Sequence, residues 1–425
     1  MVTALLPAQT HLYCAMEITL PFGLTSQWTL DINEPSITRL GPSVDAKPMN
    51  DPASAIRESL REPLDYPSLA NATLPGDQVV VTIPTGMPAV GPLAWGILQA
   101  LQDAGIESEH VILLVTDKTT ELELLAYSPL QAQNHDDGLA VRIERHDPHK
   151  AESCSFIGVT QSGQPLRMNR LIGEADLVLP LGTTSATAKS DTDTPPPLSG
   201  LFPDFSDQEA LDRFYAPSSQ ENRVHRAQRS KEIEEASKLV SCGVVIQVIP
   251  ASSNQIATLF AGHPTSVATA AREACRNTWM PRTSARGDLV IGLLTGSTTI
   301  HSWTALGQAL QVGETMLDPG GTLVFCSELK KSPGRSLGHL CQQDERTNCQ
   351  HEIMRDREAD SWTALQLSRV LQRGPVYMHS RLDDSVIENL GMTPIASSKE
   401  LSRLISNHTH SIILDDIQWL VPVVR

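Results

Sequence analysis

Apolar residues along this chain gather in short blocks, and the blocks alternate between two spacings. Residues 78–83 read QVVVTI, a run with no polar face, which fits a strand buried on both sides. Residues 92–105 place Leu93, Ile97, Leu98 and Leu101 at helical spacing and end on Gly105, a natural residue just past a helix C-terminus. A second strand follows at 110–116, a helix at 119–126 and a third strand at 139–145, with a further apolar run at 175–181. After a helix at 231–239, a strand at 244–249 and a helix at 264–276, the rhythm pauses at 277–287, where Pro281 sits in a stretch without period. It resumes with a strand at 289–294, a helix at 302–317 closed by Pro319-Gly320-Gly321, and a strand at 322–327. Helices at 361–373, 385–390 and 400–406, a strand at 376–380 and apolar runs at 411–414 and 419–424 complete the series. An opening strand within 12–33 ends at a Pro-x-Gly turn, and 34–76 reads as loop and short helix.

Strands that alternate with helices build parallel sheets with covered faces and right-handed crossovers. The pattern therefore predicts an α/β protein of two domains, residues 1–280 and 285–425, each a mostly parallel sheet with flanking helices, with a cleft between them. Open α/β sheets bind ligands at the carboxyl ends of their strands. That rule selects Thr85-Gly86, Asp117-Lys118, the Thr/Ser/Pro-rich loop at 183–200 and the turn 295–299. Thr85, Gly86, Thr295, Gly296 and Ser297 are the binding candidates, with Gln308 on the following helix beside Trp303, whose plain reading is core.

Composition changes this picture little and charge narrows it. The net charge of −16 over 425 residues argues against a phosphate-backbone partner, so no nucleic acid is expected. No apolar run is long enough for a bilayer, and the first twenty residues lack the features of a signal peptide. Seven scattered cysteines without a Cys-x-x-Cys pair support neither a zinc knuckle nor a redox dithiol, and no metal site is assigned. The expected setting is cytoplasmic.

The densest chemistry lies at 141–182. His146-Asp147-Pro148-His149, Gly158-Val159-Thr160, Gly163-Gln164-Pro165, Asn169-Arg170 and Glu174-Ala175-Asp176 occur there in that order between two strand-like runs. Residues 243–267 and 295–329 continue the likeness, which extends from about Gly76 to the end of the sequence. In this order the motifs resemble the nickel-dependent lactate racemase family. The resemblance implies a two-domain α/β enzyme, an isomerase that racemises or epimerises a 2-hydroxy acid by hydride transfer. It also implies a nickel pincer nucleotide tethered to a lysine, with two histidines as alternating acid and base.

The family's motif positions are occupied differently here. Ile83-Pro84-Thr85-Gly86-Met87-Pro88 stands at the phosphate loop, so Met87 takes the place of an arginine. Thr116-Asp117-Lys118 stands where an acid/base histidine is usual, and Ser199 stands at the tethering lysine. Lys189 lies near the second histidine position and His146 near the first domain's polar centre; both are carried as catalytic candidates. The plainer readings are a solvated lysine and a histidine that holds a turn. The cofactor is thus unknown, with covalent attachment of the pincer nucleotide not expected. Two readings stay open: a divergent 2-hydroxy acid racemase, or a non-catalytic relative that binds a small anionic metabolite or a protein partner.

Overall fold

In the computed structural model, which describes residues 16–32, 36–116, 119, 141–184, 199–216, 223–240, 242–252, 254–284, 286–296, 300–341, 346–355, 358 and 360–424, the strands form two six-stranded sheets and smaller pairs. The chain opens with an antiparallel hairpin, β1 (Met16–Phe22) and β2 (Ser26–Ile32), followed by β3 (Ser36–Leu40). The first large sheet takes β4 (Val79–Ile83), β5 (Val111–Val115) and β6 (Arg142–Arg145). A side hairpin, β7 (Cys154–Val159) and β8 (Pro165–Asn169), precedes β9 (Leu177–Thr183), β10 (Val245–Pro250) and β11 (Ile256–Gly262). Its order is β11-β10-β9-β4-β5-β6, parallel except where β11 returns against β10.

A short strand, β12 (Arg282–Thr283), leads into the second sheet. That sheet is built from β13 (Gly287–Leu293), β14 (Leu317–Cys326), β15 (Val376–His379), β16 (Thr393–Pro394) and β17 (His410–Leu414), and β18 (Val423–Val424) returns to pair with β12. The order is β16-β15-β14-β13-β17-β3, parallel throughout. Both large sheets are flanked by helices, and the protein is of the mixed α/β class.

The apolar runs explain the layers. In β4, Val79, Val81 and Ile83 enter one core and Val80 the other; in β9, Leu177, Leu179 and Leu181 oppose Val178 in the same way. Such strands bury both faces, worth about 1.5–3 kcal/mol for each large side chain removed from water. In β13, Leu289, Ile291 and Leu293 point into a core closed by Leu20, Phe22, Leu30 and Ile32 of the opening hairpin and by Leu401 and Ile405 of the helix Ser398–Ser406. Val290 points the other way, into a core that also takes Ile249, Cys275 and Trp279 from the first half.

The strands are therefore shared differently from a simple cut near residue 280. The opening hairpin covers the second sheet, and β3 is an edge of it, pairing with β17 from Ser36↔His410 to Leu40↔Leu414. Arg39 fixes this pairing by a two-pronged ion pair, Nε to Asp415 Oδ2 at 2.7 Å and Nη2 to Asp415 Oδ1 at 2.9 Å. The helix predicted at 119–126 falls outside the described residues. Among the described residues, no helix is long and apolar enough to cross a membrane.

One carboxylate fastens the amino end of the second sheet. Asp288 accepts hydrogen bonds from the Thr409 N–H and hydroxyl, both at 2.8 Å, and from the His410 N–H at 2.9 Å. Burial by itself would raise the Asp288 pKa, but these bonds outweigh it and leave it lowered. A depressed carboxylate stabilises the fold above its unfolded pKa, about 4, and the contribution fades as pH falls through the lower folded value. Melting temperatures measured below pH 4 should accordingly drop more steeply for the native chain than for Asp288→Asn. Parallel curves would show that the bonds do not favour the charged form.

Candidate functional site

The carboxyl edge of the first sheet gathers Thr85 after β4, Thr116 after β5, Thr184 after β9 and Gln247 within β10. Their side chains bond one another or the main chain. Thr82 donates to the Gly200 carbonyl, and the Thr85 and Thr116 hydroxyls pair. Thr184 donates to Gln247 Oε1 at 3.1 Å, and Gln247 Nε2 donates to the Ser199 carbonyl at 3.0 Å. Ser199 turns its hydroxyl to the Thr183 carbonyl at 2.6 Å.

This strap lies directly on β9. A Cβ on Gly182 would come 2.1 Å from the Ser199 carbonyl oxygen, and one on Gly200, at φ +100°, would come 2.3 Å from that of Leu181. Only glycine on both sides permits so close a crossing. Thr85 and Gly86 thus lie where the sequence placed them, at a strand end, but the network they join is one of neutral groups. Met87 is buried in the core beneath that edge. Lys189, Asp117, Lys118 and Ser297 lie outside the described residues.

His146 requires a correction. Its ring is fully buried. Nε2 donates to the Ser206 carbonyl at 2.8 Å, and Nδ1 accepts from the Asn169 amide at 3.0 Å. The Phe205 ring lies 5.9 Å away, centroid to centroid. With both nitrogens engaged inside the protein, His146 joins the end of β6 to β8 and to the turn before Asp207, and it presents nothing to a ligand. Gln308, on the helix Trp303–Met316, is exposed with Thr304, away from the buried Trp303, Leu306 and Leu310. Trp303 is core, donating from Nε1 to the Lys331 carbonyl at 2.9 Å.

The carboxyl edge of the second sheet has a different chemistry. Thr295 and Gly296, just past β13, are clamped by the opening hairpin: Gly23 N–H donates to the Leu294 carbonyl and Gly296 N–H to the Gly23 carbonyl. The Thr295 hydroxyl donates to Asp416, whose other oxygen accepts from Ser252 at 2.8 Å. Ser252 follows β10, so this carboxylate ties the carboxyl ends of the two sheets together. Gln418 Nε2 donates to the Thr295 carbonyl at 3.0 Å, and its Oε1 is buried without a partner among the described residues.

Charged and titratable groups follow on the neighbouring strands. Glu328, past β14, accepts from the Ser26 hydroxyl at 2.6 Å and from Arg381 Nη2 at 2.6 Å. Burial would raise the Glu328 pKa, but those two donors and the guanidinium charge hold it below the usual glutamate range. His301 is buried, with Nδ1 bonded to the Glu328 N–H at 3.1 Å and 2.9 Å from the Ser327 hydroxyl, and with the Gly296 carbonyl beside the ring. His379 ends β15, packs on Trp28 at 4.2 Å and Phe22 at 5.0 Å between centroids, and bonds the Ile395 carbonyl through Nδ1 at 3.0 Å. Burial pushes the pKa of both histidines down, against the pull of the Gly296 and Ile395 carbonyls respectively and of Glu328. At neutral pH both rings are therefore uncharged.

On this edge sequence reasoning named Thr295, Gly296, Ser297 and Gln308 and did not single out His301, Glu328, His379, Arg381 or Asp416. The strand-end rule that found Thr295 would have found Glu328, His379, Arg381 and Asp416 had it been applied to the strands ending at Ser327, Ser380 and Leu414, and His301 had it been carried along the same turn. Elsewhere, Glu107, Glu109 and His110 bring three metal-capable atoms within 4.8 Å of one another, on the surface at the amino end of β5 and remote from either strand-end edge.

Residues 24–186 match the family described as the lactate racemase N-terminal domain. No curated protein matches the chain. Among solved structures, the lactate racemase apoprotein from Thermoanaerobacterium thermosaccharolyticum superposes with a TM-score of 0.75 at 17% identity, over 96% of this chain and 100% of that one. A protein from Thermotoga maritima superposes with a TM-score of 0.61 at 12% identity, over 88% of this chain and 99% of the other. Its N-terminal region thus matches the lactate racemase N-terminal domain family, and the chain shares the fold of the lactate racemase apoprotein along nearly its whole length.

Proposed function

We propose that this chain is a divergent lactate-racemase-like protein that binds a small anionic metabolite, a 2-hydroxy acid, and does so without the family's covalent nickel cofactor. The observation that carries the reading is Ser199. At the position of the tethering lysine it holds a hydroxyl, and that hydroxyl is bonded to the Thr183 carbonyl in a strap pressed onto Gly182. A pincer nucleotide needs an amine for its tether and cationic donors for its phosphate, since charge-assisted bonds carry most of such anchoring. Thr82, Thr85, Thr116, Thr184, Ser199 and Gln247 supply neither, and Met87 is committed to the core. The residues here do not fit the group.

The second edge suits an anion better. Arg381 gives one N–H to Glu328 and is otherwise largely exposed, so donors remain for a carboxylate. The Ser252–Asp416 contact supports placing Thr85 and the Thr295–Gly296 turn along one cleft between the sheets.

The test is mass spectrometry and nickel quantification on the full chain expressed beside cofactor-building enzymes. No adduct and no stoichiometric nickel are expected, while calorimetry should register binding of a 2-hydroxy acid. A stoichiometric adduct on Lys189 together with racemisation of lactate would replace this reading with that of an active racemase.

A further inference from the structure

At the amino end of the second sheet, away from the edge that carries Thr295, β14 leaves its register. Gly287 pairs with Leu317 and Leu289 with Thr322, so one residue of β13 faces four of β14. Those four, Asp318-Pro319-Gly320-Gly321, loop out of the sheet with Gly320 at φ +78°. A proline followed by a glycine of positive φ is the mark of a type II turn. The turn is braced from behind. A Cβ on Gly374 would lie 2.2 Å from the Gly321 carbonyl oxygen, and the Leu323 N–H donates to the Pro375 carbonyl at 3.0 Å. A groove of about 580 Å³ stays open between the turn, the last turn of the helix Trp303–Met316, Arg286 and Arg373. That volume suits a small molecule.

The groove carries two acids and two guanidinium groups, in unequal states. Arg373 Nη1 and Glu314 Oε1 form an ion pair at 3.0 Å, so each offsets the other. Arg286 and Asp318 line the same groove, yet neither has an ion pair or hydrogen bond among the described residues. They do not reach each other, and the space they bound has one positive and one negative group on its walls. The helix Trp303–Met316 ends two residues before Asp318, and the carbonyls at its C-terminus add partial negative charge on that side. Leu317 and Pro319 contribute apolar surface.

We propose that this groove binds a zwitterionic α-amino acid with an apolar side chain. Its carboxylate lies on Arg286, its ammonium between Asp318 and the helix end, and its side chain on Leu317 and Pro319. A planar guanidinium holds a carboxylate by two parallel bonds, and a carboxylate is a natural partner for an ammonium. A ligand with a single charge satisfies one wall and leaves the other group facing nothing. The seven residues of β13 separate this groove from Thr295 by roughly 23 Å, at about 3.3 Å per residue. The site is therefore distinct from the one proposed for the 2-hydroxy acid, and neither reading depends on the other.

Calorimetry on the full chain with L-leucine, L-methionine and L-phenylalanine, each beside its N-acetyl and its amide form, tests this. At least one amino acid is expected to bind, with both of its blocked forms weaker by about tenfold or more. Arg286→Gln and Asp318→Asn each remove one charge with little change of size. Each should weaken that binding about tenfold while leaving the melting temperature unchanged, since neither side chain belongs to the buried core. Failure of all three amino acids to bind at millimolar concentration would overturn the proposal. So would a blocked form that binds as tightly as its parent, or variants that bind like the native chain.

Discussion

Replacing His146 by alanine is expected to destabilise the protein by about 3 kcal/mol while leaving ligand binding by the folded fraction unchanged. The cost has two sources. The Asn169 amide and the Ser206 carbonyl each lose a buried partner, at about 1–3 kcal/mol for a group left unsatisfied, part of which relaxation recovers. The vacated ring volume beside Phe205 adds the cost of a cavity. Asn169 also caps the helix Arg170–Glu174 by accepting from the Leu171 N–H, so its amide cannot swing away freely to find water. Urea unfolding measures the effect. A loss under 1 kcal/mol, or weakened binding at temperatures where the variant is folded, would return His146 to the list of functional residues.

A methyl group on Gly182 should cost as much or more. Its position, 2.1 Å from the Ser199 carbonyl oxygen and 2.5 Å from the Ser199 carbonyl carbon, lies inside contact distance of main chain rather than of a flexible side chain. Either β9 or the strap must move. β9 is held between β4 and β10 in the middle of the sheet, so the strap is the part that yields. Its displacement breaks the bonds from Thr82 to Gly200 and from Gln247 to Ser199. Overpacking typically costs about 1–3 kcal/mol, and the broken bonds add to it, so Gly182→Ala should lose about 3 kcal/mol or more. Thermal unfolding checks this, and a melting temperature within a degree or two of the native chain would mean that the strap is loosely held.

The central strands were legible because burial on both faces leaves a continuous apolar run, as in Val79–Ile83, Leu177–Thr183 and Gly287–Leu293. The strands missed were those whose pairing decides their conformation. Ser26–Ile32 alternates but is not separated from the opening strand in 12–33, while Ile256–Gly262 lies antiparallel at a sheet edge. Ser36–Leu40 is largely exposed, and nothing local marks SITRL as a strand; its partner lies in the last sixteen residues of the sequence. At the site, the small-residue turn at Thr295 stood out because strand ends carry function in such sheets. His146 drew notice as a motif histidine, and no spacing rule reveals that a carbonyl sixty residues later, at Ser206, accepts its hydrogen bond.

The pairing of β3 with β17 also sets a schedule for biosynthesis. Ser36 meets His410 across 374 positions of sequence. At about 5–20 residues per second, the ribosome needs roughly 20–75 seconds after making the first strand to deliver its partner. Throughout that interval β3 lacks its partner, while the first sheet has all its strands once Gly262 has been made, roughly 150 positions before His410. The nascent chain therefore has reason to complete the first sheet early and hold its own beginning in reserve. The apolar face of that waiting hairpin, with Leu20, Phe22 and Leu30, is the surface a chaperone would meet first.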